Sequence, residues 1–540
     1  MSIENNLKKK IQTAFAQLGL EIELEQVVIE STKDKNHGDY ATNAALKFSS
    51  LLKKSPREVA SLLVESIDKE GLEKVELAGP GFINFFIKSD ILAAKLGEII
   101  DKKENYGNGE NKNLKINIEF VSANPTGDLH LGHARNAAIG DSLARILTKA
   151  GHSVTREFYL NDAGNQIDNL GLSIDARYKQ LFGLEAPMSE DMYQGVDIIQ
   201  IAKTLKENHG DKYLNDVNAL SFFKEYGMKE ELKKINEDLE MFRVKFDVYS
   251  LESEVRSKGA IDKEIEFLKP YIYHDGEALV LKTSSFLDDK DRVIVKSDGE
   301  YTYFLPDIIY HLDKLSRGFD YLIDVLGADH HGYINRMKSA LMMHGYKKDT
   351  LDVQIIQMVR IFQDGKEIKL SKRTGKTITL RELCEDVGID AVRYFFVARS
   401  ASSHLDFNLN LAREQSSSNP VYYAQYAYAR LASVFEQAAD EFLLDASGKL
   451  LKEESEIDLL KLLIDYPHVI EDAANKKEPS IITNFIQKLA AATHSFYTNC
   501  RIIDKDDTAL TSNRLALAKA TQIVLKNALN LIGVEAPNKM

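Results

Sequence analysis

The stretch Leu114-Lys-Ile-Asn-Ile-Glu-Phe120, followed by Ala123-Asn-Pro-Thr-Gly-Asp-Leu-His130-Leu-Gly132-His133 and the apolar-rich run from Ala134 to Ala150, decides the fold. Leu114, Ile116, Ile118 and Phe120 alternate with Lys115, Asn117 and Glu119, and a period of two predicts a strand. Beyond His133 the positions Ala138, Ile139, Leu143, Ile146 and Leu147 fall at helical spacing, with Gly151 where a C-terminal cap is expected. Strand, tight loop and helix open a nucleotide-binding α/β fold. His130 and His133 then sit at a helix N-terminus, where backbone donors and the helix dipole favour anions, and phosphate is the natural occupant. Two imidazoles there would donate to an α-phosphate as charge builds during departure of pyrophosphate, while Gly132 leaves space for a flat adenine. Composition alone would supply His-x-Gly-His about 0.02 times in a chain of this make-up. The plain alternative is a pair of histidines that bind a metal or merely pack.

A second element lies downstream. Between Lys366 and Arg381 the cations Lys366, Lys369, Lys372, Arg373, Lys376 and Arg381 are opposed by Glu367 alone, which marks a local anion site. Lys369-Leu-Ser371-Lys372-Arg373, with Gly365 and Gly375 on either side, is expected to be a mobile basic loop able to close over pyrophosphate. By itself a solvated lysine-rich loop is the simpler reading. The two histidines upstream tip the balance towards phosphate chemistry.

On the N-terminal side, residues 1–111 mix helical patterns such as Leu7 to Leu18 with strand-like runs such as Val27 to Glu30 and Val75 to Leu77, which predicts a small α+β domain. The Gly- and Asn-rich segment Asn105 to Asn113 has the composition of a linker. The catalytic domain is expected over 112–400, with a charged, mostly helical insertion at about 185–300 to which no chemistry can be assigned. Over 401–540, helix-like blocks at Tyr422 to Phe442, Ile457 to Asn475, Ile481 to Asn499 and Asn513 to Ile532 predict a helical bundle. The fold class expected is therefore multidomain α/β: a Rossmann-type catalytic domain with an insertion, an N-terminal α+β domain and a C-terminal α-helical bundle.

The 540 residues suffice for several cores, and 44% hydrophobic with 28% charged residues is ordinary for a soluble protein. The Lys-rich start runs into an amphipathic helical pattern rather than a signal peptide, so a cytoplasmic protein with no membrane partner is expected. Cys384 and Cys500 are too few for a disulfide framework and too far apart for a zinc knuckle, so no protein-bound metal is expected. The net charge of −13 argues against coating nucleic acid through bulk positive charge, DNA included, and leaves room for local basic faces.

Together, His130-Leu-Gly-His133 and Lys369-Leu-Ser-Lys372-Arg373 resemble the HIGH and KMSKS signatures of class I aminoacyl-tRNA synthetases. The strings Glu119-Phe-Val-Ser-Ala-Asn124-Pro-Thr-Gly, Asn161-Asp-Ala-Gly-Asn-Gln166 and Gly327-Ala-Asp-His-His-Gly-Tyr333 resemble arginyl-tRNA synthetases in particular, and the likeness extends over essentially the whole chain. It departs at Arg373, where the general signature ends in serine, and at Tyr428, where many relatives carry histidine. The resemblance implies that His130, His133, Lys369 and Lys372 are catalytic. It also implies that Gly132, Gly327, Asp329, His330 and Ser371 hold ATP, with Asp329 towards the ribose; a capping role is the plain alternative for Asp329.

A guanidinium is planar and permanently charged, so selecting it requires carboxylates that accept its forked donors, preferably beside an aromatic face. Spacing puts Tyr303, Asp307 and Tyr310 on one helical face, and the resemblance makes them arginine-binding, with Glu119 as the second acid and Ser122 and Asn124 holding the amino and carboxyl groups. For the two tyrosines ordinary core packing stays open. Gly79-Pro-Gly-Phe82-Ile-Asn84 resembles the family's tRNA D-loop contact, with Phe82 stacking on a base and Asn84 bonding to its edge, although a turn before an ordinary strand fits as well. In Tyr422-Tyr423-Ala-Gln-Tyr426 the tyrosines, Tyr426 among them, would stack on anticodon bases or fill the bundle.

The resemblance thus implies an arginine–tRNA ligase that uses ATP with Mg2+ as a substrate complex, with arginine and tRNA(Arg) as partners, and a monomer is expected. A tRNA-binding paralogue without activity, a class I synthetase for lysine and a small-molecule nucleotidyltransferase are the rivals.

Overall fold

Strand β5 (Lys115–Glu119) is followed by the helix Leu131–Lys149, then β6 (Ser153–Leu160). The computed structural model describes all residues except 1–2, 33–36, 217, 257, 369–376 and 440. By internal packing the chain divides into two units, one of Met1–Lys103, Val434–Ile464 and Ala492–Ile523, the other of Glu104–Ser433, Asp465–Ala491 and Val524–Met540.

The first unit carries an antiparallel sheet of β1 (Glu30–Ser31), β2 (Tyr40–Thr42), β3 (Leu72–Ala78) and β4 (Phe82–Ile87) in the order β1-β2-β4-β3. Helix Pro56–Ser66 starts where Ser55 and Glu58 form a capping box and Pro56 supplies a preset φ. It buries Val59, Ala60 and Leu63, and helix Ile3–Gln17 buries Leu7, Ile11 and Phe15. In the same unit Glu456 is fully buried and paired with Arg514 at 2.6 Å.

The second unit is organised by a five-stranded parallel sheet, to which β7 (Val248–Leu251), β11 (Tyr321–Gly327) and β12 (Leu351–Ile356) add in the order β12-β11-β5-β6-β7. The strand order reverses at β5, and the crevice at the C-terminal ends of β5 and β11 is where such sheets bind ligands. Strands β8 (Ile272–Asp275), β9 (Ala278–Leu281) and β10 (Arg292–Val295) form a separate antiparallel sheet. Strands β13 (Val359–Gln363), β14 (Lys366–Ile368) and β15 (Leu405–Asn408) form a third, mixed sheet, in which β13 pairs antiparallel with β14 and parallel with β15.

Two expectations are refined here. The strand predicted from the period of two spans 115–119, and Ile116, Asn117, Ile118 and Glu119 are all buried, because the central strand of a parallel sheet is covered on both faces. Its polar side chains enter a buried network. The stretch 185–300 contains the helices Val196–His209 and Ala219–Met241, which pack on Asn165–Leu181 through Ile198, Leu205, Phe223, Leu170 and Ile174. It also contains β7, which extends the main sheet, and all of β8 to β10, none of which the charged composition disclosed. In the C-terminal region the helices are Pro420–Ala438, Glu454–Lys476, Ser480–Asn499 and Thr508–Leu531, close to the four predicted blocks. No helix among the described residues is long and apolar enough to cross a membrane.

Candidate active site

The loop leaving β5 takes an unusual path: Val121 and Ser122, neither of them glycine, have φ of 66° and 41°. Such conformations cost energy and persist only where contacts enforce them. Here the Val121 N–H donates to Asn136 Oδ1 at 2.7 Å. The Ser122 hydroxyl donates to Glu119 at 2.9 Å and accepts from the Tyr159 N–H at 3.1 Å. The loop delivers His130 to the N-cap of helix Leu131–Lys149, where its Nδ1 accepts from the Gly132 N–H at 3.0 Å. That bond assigns the proton to Nε2, which is left as a donor.

His130 and His133 stack, ring centroids 3.8 Å apart. Burial, with His130 as a secondary cause, pushes His133 down to about 4, and burial also lowers His130, so both are neutral donors near pH 7. Gly132 is needed for a reason beyond leaving space for adenine: a Cβ there would lie 2.9 Å from His130 Cε1. The helix is seated by Arg135, fully buried, whose guanidinium donates to the carbonyls of Gln357, Ser403 and Ser400 at 2.8 to 2.9 Å.

These groups border a cavity of about 640 Å³ that also includes Glu119, Ser122, Tyr159, Asp307, Tyr310, His311, Asp324, Gly327, Asp329, His330 and Tyr333. Helix Phe304–Ser316 supplies one wall of it through Asp307, Tyr310 and His311, and Lys314 continues the same stripe at i, i+3, i+4 and i+7. Lys314, fully buried, lies 2.5 Å from Glu119 and 3.1 Å from Asp324, with its ammonium over the Tyr310 ring at 4.3 Å. His311 is 2.7 Å from Asp324. Burial alone would raise Asp324, but Lys314 and His311 outweigh it and hold the carboxyl well below the usual range. Glu157, also fully buried, accepts from Tyr310, Ser250 and Arg317 at 2.8, 2.6 and 2.8 Å.

Asp307 differs from these acids. Its carboxyl takes no hydrogen bond among the described residues, and burial, reinforced by Glu119, Glu252 and Asp324 against His311, pushes it up to about 7. At this end of the cavity, then, Glu119 and Asp324 are paired with the protein's own cations and the Asp307 carboxyl is not.

Most of the sequence-based candidates meet here. His130, Gly132, His133, Glu119, Ser122, Asp307, Tyr310, Gly327, Asp329 and His330 line one cavity. At its Gly327 end the side chains of Asp329 and His330 are 82% and 49% exposed and pair at 3.4 Å. Two candidates are not brought in. Tyr303, 78% exposed, occupies the N-cap of its helix, outside the lining, with Arg256 over its ring at 5.6 Å. Asn124 is exposed, and its carbonyl accepts from Thr126 at 2.8 Å. Lys369, Ser371, Lys372 and Arg373 lie outside the described residues. Arg381, counted with the basic stretch, is engaged by the buried Asp238 and is not a free anion ligand.

In the other candidate positions, Phe82 is 41% exposed at the start of β4, whereas Asn84 is 4% exposed and paired on both sides in the sheet, so it does not present a base-reading edge. Tyr426 is 42% exposed, stacked on Tyr422 at 6.0 Å with Arg430 over its ring at 5.3 Å, while Tyr428 is buried. Sequence reasoning missed Asp324, Lys314, His311 and Glu157. The signal for two of them was present, since His311 and Lys314 continue the stripe that begins at Asp307.

Comparison with known proteins agrees with this geometry. Family models match along the chain: the arginyl-tRNA synthetase N-terminal domain at residues 3–87, the catalytic domain of class I (R) tRNA synthetases at 95–398 and the DALR anticodon-binding domain at 424–540. The arginine–tRNA ligase of Bacillus subtilis is 50% identical over 550 aligned residues, covering 99% of this chain and 98% of that protein. That of Bacillus cereus is 50% identical, covering 100% and 99%. Among solved structures, the arginyl-tRNA synthetases of Thermus thermophilus (21% identity, TM-score 0.76, 100% of both chains) and Plasmodium falciparum (17%, TM-score 0.77, 100% and 99%) share the fold. With relatives of that similarity over its full length, and a parallel sheet whose switch point carries the paired histidines, the chain belongs to the arginyl-tRNA synthetase family and is an arginine–tRNA ligase.

Proposed function

We propose that this ligase joins arginine to the adenylyl group of ATP, releasing pyrophosphate, in the cavity at the ends of β5 and β11, with Asp307 receiving the guanidinium of the amino acid. The observation that carries this reading is the contrast among the acids: Glu119 and Asp324 are already in ion pairs with Lys314 and His311, while the Asp307 carboxyl takes no hydrogen bond or ion pair among the described residues and is raised to about 7. A carboxyl in that condition gains most from an arriving cation, because the guanidinium replaces lost hydration with two charge-assisted bonds. Tyr310 and Tyr159, ring centroids 4.7 Å apart, supply aromatic faces, and Glu119 with Ser122 forms the nearby polar wall. Tyr303 and Asn124 are left out of the arginine site by this reading.

The arginine carboxylate then attacks the α-phosphate of ATP, which enters with Mg2+ as a substrate complex, and pyrophosphate leaves. His130 Nε2–H and His133 donate to the α-phosphate oxygens as charge accumulates. Gly327, Asp329 and His330 hold the adenosine end, and Lys369, Ser371 and Lys372 keep the pyrophosphate-binding role that resemblance implies. A terminal ribose hydroxyl of tRNA(Arg) next attacks the activated carbonyl and AMP departs. For the tRNA itself, the exposed Phe82 and Tyr426, the latter stacked with the half-buried Tyr422 and Arg430, support contact. We take the working enzyme to be a cytoplasmic monomer, which light scattering on the purified chain tests.

Asp307→Asn tests the assignment while keeping the side chain's size. The expected result is a rise of about 30- to 150-fold in KM for arginine, equivalent to roughly 2–3 kcal/mol for a lost charge-assisted bond, with KM for ATP nearly unchanged. An unaltered arginine KM in steady-state aminoacylation would remove Asp307 from the site.

A further inference from the structure

Helix Ala219–Met241 contributes nothing to the cavity lining, yet its charged side chains reach both segments that flank the catalytic residues. Asp128, two residues before His130, pairs with Lys234 at 2.5 Å. Asp238, 2% exposed, forms an ion pair with Arg381. Arg381 is the second residue of helix Leu380–Val387 and the last cation of the basic stretch 366–381. The two flanks are themselves zipped together: His130 and Thr379 form a β-bridge, and the Leu380 N–H donates to the Leu129 carbonyl at 2.7 Å.

Lys234 and Asp238 are one helical turn apart, and Glu231, 1% exposed with one carboxyl oxygen lacking a hydrogen-bond partner among the described residues, lies three positions before Lys234. Burying acids is costly, and a helix required only to pack would be at least as stable with apolar residues there. Two opposite-sign contacts from one rigid helix do what apolar packing cannot: they fix the register of two separate loops against each other.

We propose that helix Ala219–Met241 is a clasp for the adenylation machinery, with Lys234 and Asp238 as positioning residues that set the spacing between the His130 segment and the segment entering helix Leu380–Val387. The inference rests on the reading of the active site given above. An N–H donor displaced by about 1 Å from a phosphate oxygen loses roughly 100-fold in rate, so a fixed spacing acts on the chemical step rather than on arginine binding.

The test uses the full-length enzyme with tRNA and measures kcat and KM for arginine and for ATP, together with the melting temperature. Asp238→Asn is expected to lower kcat about 10- to 100-fold, and Lys234→Met about 3- to 10-fold, with arginine KM within about twofold of the parent. Exchanging the charges, Asp238→Arg with Arg381→Asp, or Lys234→Asp with Asp128→Lys at the half-exposed pair should the buried exchange fail to fold, is expected to restore most of the loss. An unchanged kcat, or a loss that tracks the melting temperature and is not recovered by the exchanged pair, overturns the clasp. His133→Ala is run alongside: if it retains full activity the reading of the site itself fails, whereas an inactive His133→Ala beside a fully active Asp238→Asn removes the clasp alone.

Discussion

At the Asp307 end of the cavity, Lys314 is wholly buried and within 2.5 and 3.1 Å of two carboxylates, whereas at the opposite end Asp329 and His330 are 82% and 49% exposed and share one contact of 3.4 Å. The first is a dry network whose charges are matched inside the protein; the second is wet, with neutral imidazoles beside it. The difference follows from what each end must do. Discriminating a guanidinium from other side chains needs acids that cannot turn to water for compensation, so that a wrong ligand leaves them unpaired. A triphosphate brings its own charge and metal, and needs donors that are fixed in place but remain accessible.

Lys314→Met attacks the matched network and is expected to have the largest effect. Methionine keeps the volume but leaves Glu119 without its cation and Asp324 with His311 alone. Removing one partner from a buried set typically costs about 3–5 kcal/mol, read as a lowered urea midpoint at unchanged slope. Adding Glu119→Gln removes the stranded charge and is expected to recover part of that loss. If Lys314→Met unfolds at the parent's midpoint, the network is not the rigid element that the contrast requires.

His130→Ala probes the other end and is expected to cost little stability, because its ring is partly exposed and its one hydrogen bond is local, to Gly132. Its effect falls on catalysis: a fall in kcat of about 100- to 1000-fold, roughly 2.7–4 kcal/mol, with arginine KM little changed. Single-turnover formation of the adenylate reads this step directly. A variant that binds arginine poorly but reacts at the normal rate would mean that the two ends are not functionally separate.

The same contrast explains what the amino-acid sequence disclosed. The helix start at His130 was legible because caps, glycines and apolar periodicity act within a few residues, and the strand–loop–helix order leads directly to the switch point. Lys314 pairing with Glu119 was not, since the partners are 195 residues apart and no local pattern records their meeting. The alternation at 114–120 marked a strand, but not that Asn117 is buried along with the apolar positions, because alternation is blind to what covers the second face of a strand. Strand β7 escaped because four residues, Val248–Leu251, are too few to show a period. Tyr303 falls outside the cavity lining for a related reason: helical spacing continued one residue beyond the helix itself, which begins at Phe304.

The smallest expected effect concerns Asp307, whose carboxyl is in no ion pair among the described residues. Its carboxyl is raised to about 7, mainly by burial, so the native chain binds this proton more tightly than the unfolded chain does. The sign is therefore the reverse of a paired carboxylate: its contribution to stability declines as pH rises from the ordinary carboxylate range through about 7. Arginine binding runs the other way, because the guanidinium stays charged throughout and needs the ionised acid. With a midpoint of about 7, the ionised fraction rises from roughly a tenth at pH 6 to roughly nine tenths at pH 8, so KM for arginine is expected to fall about tenfold over that interval and level off above it. Asp307→Asn should flatten the profile. A parent enzyme whose arginine KM is flat or rises across this range would place Asp307 among the acids already compensated within the fold, and the distinction between it and Asp324 would be lost.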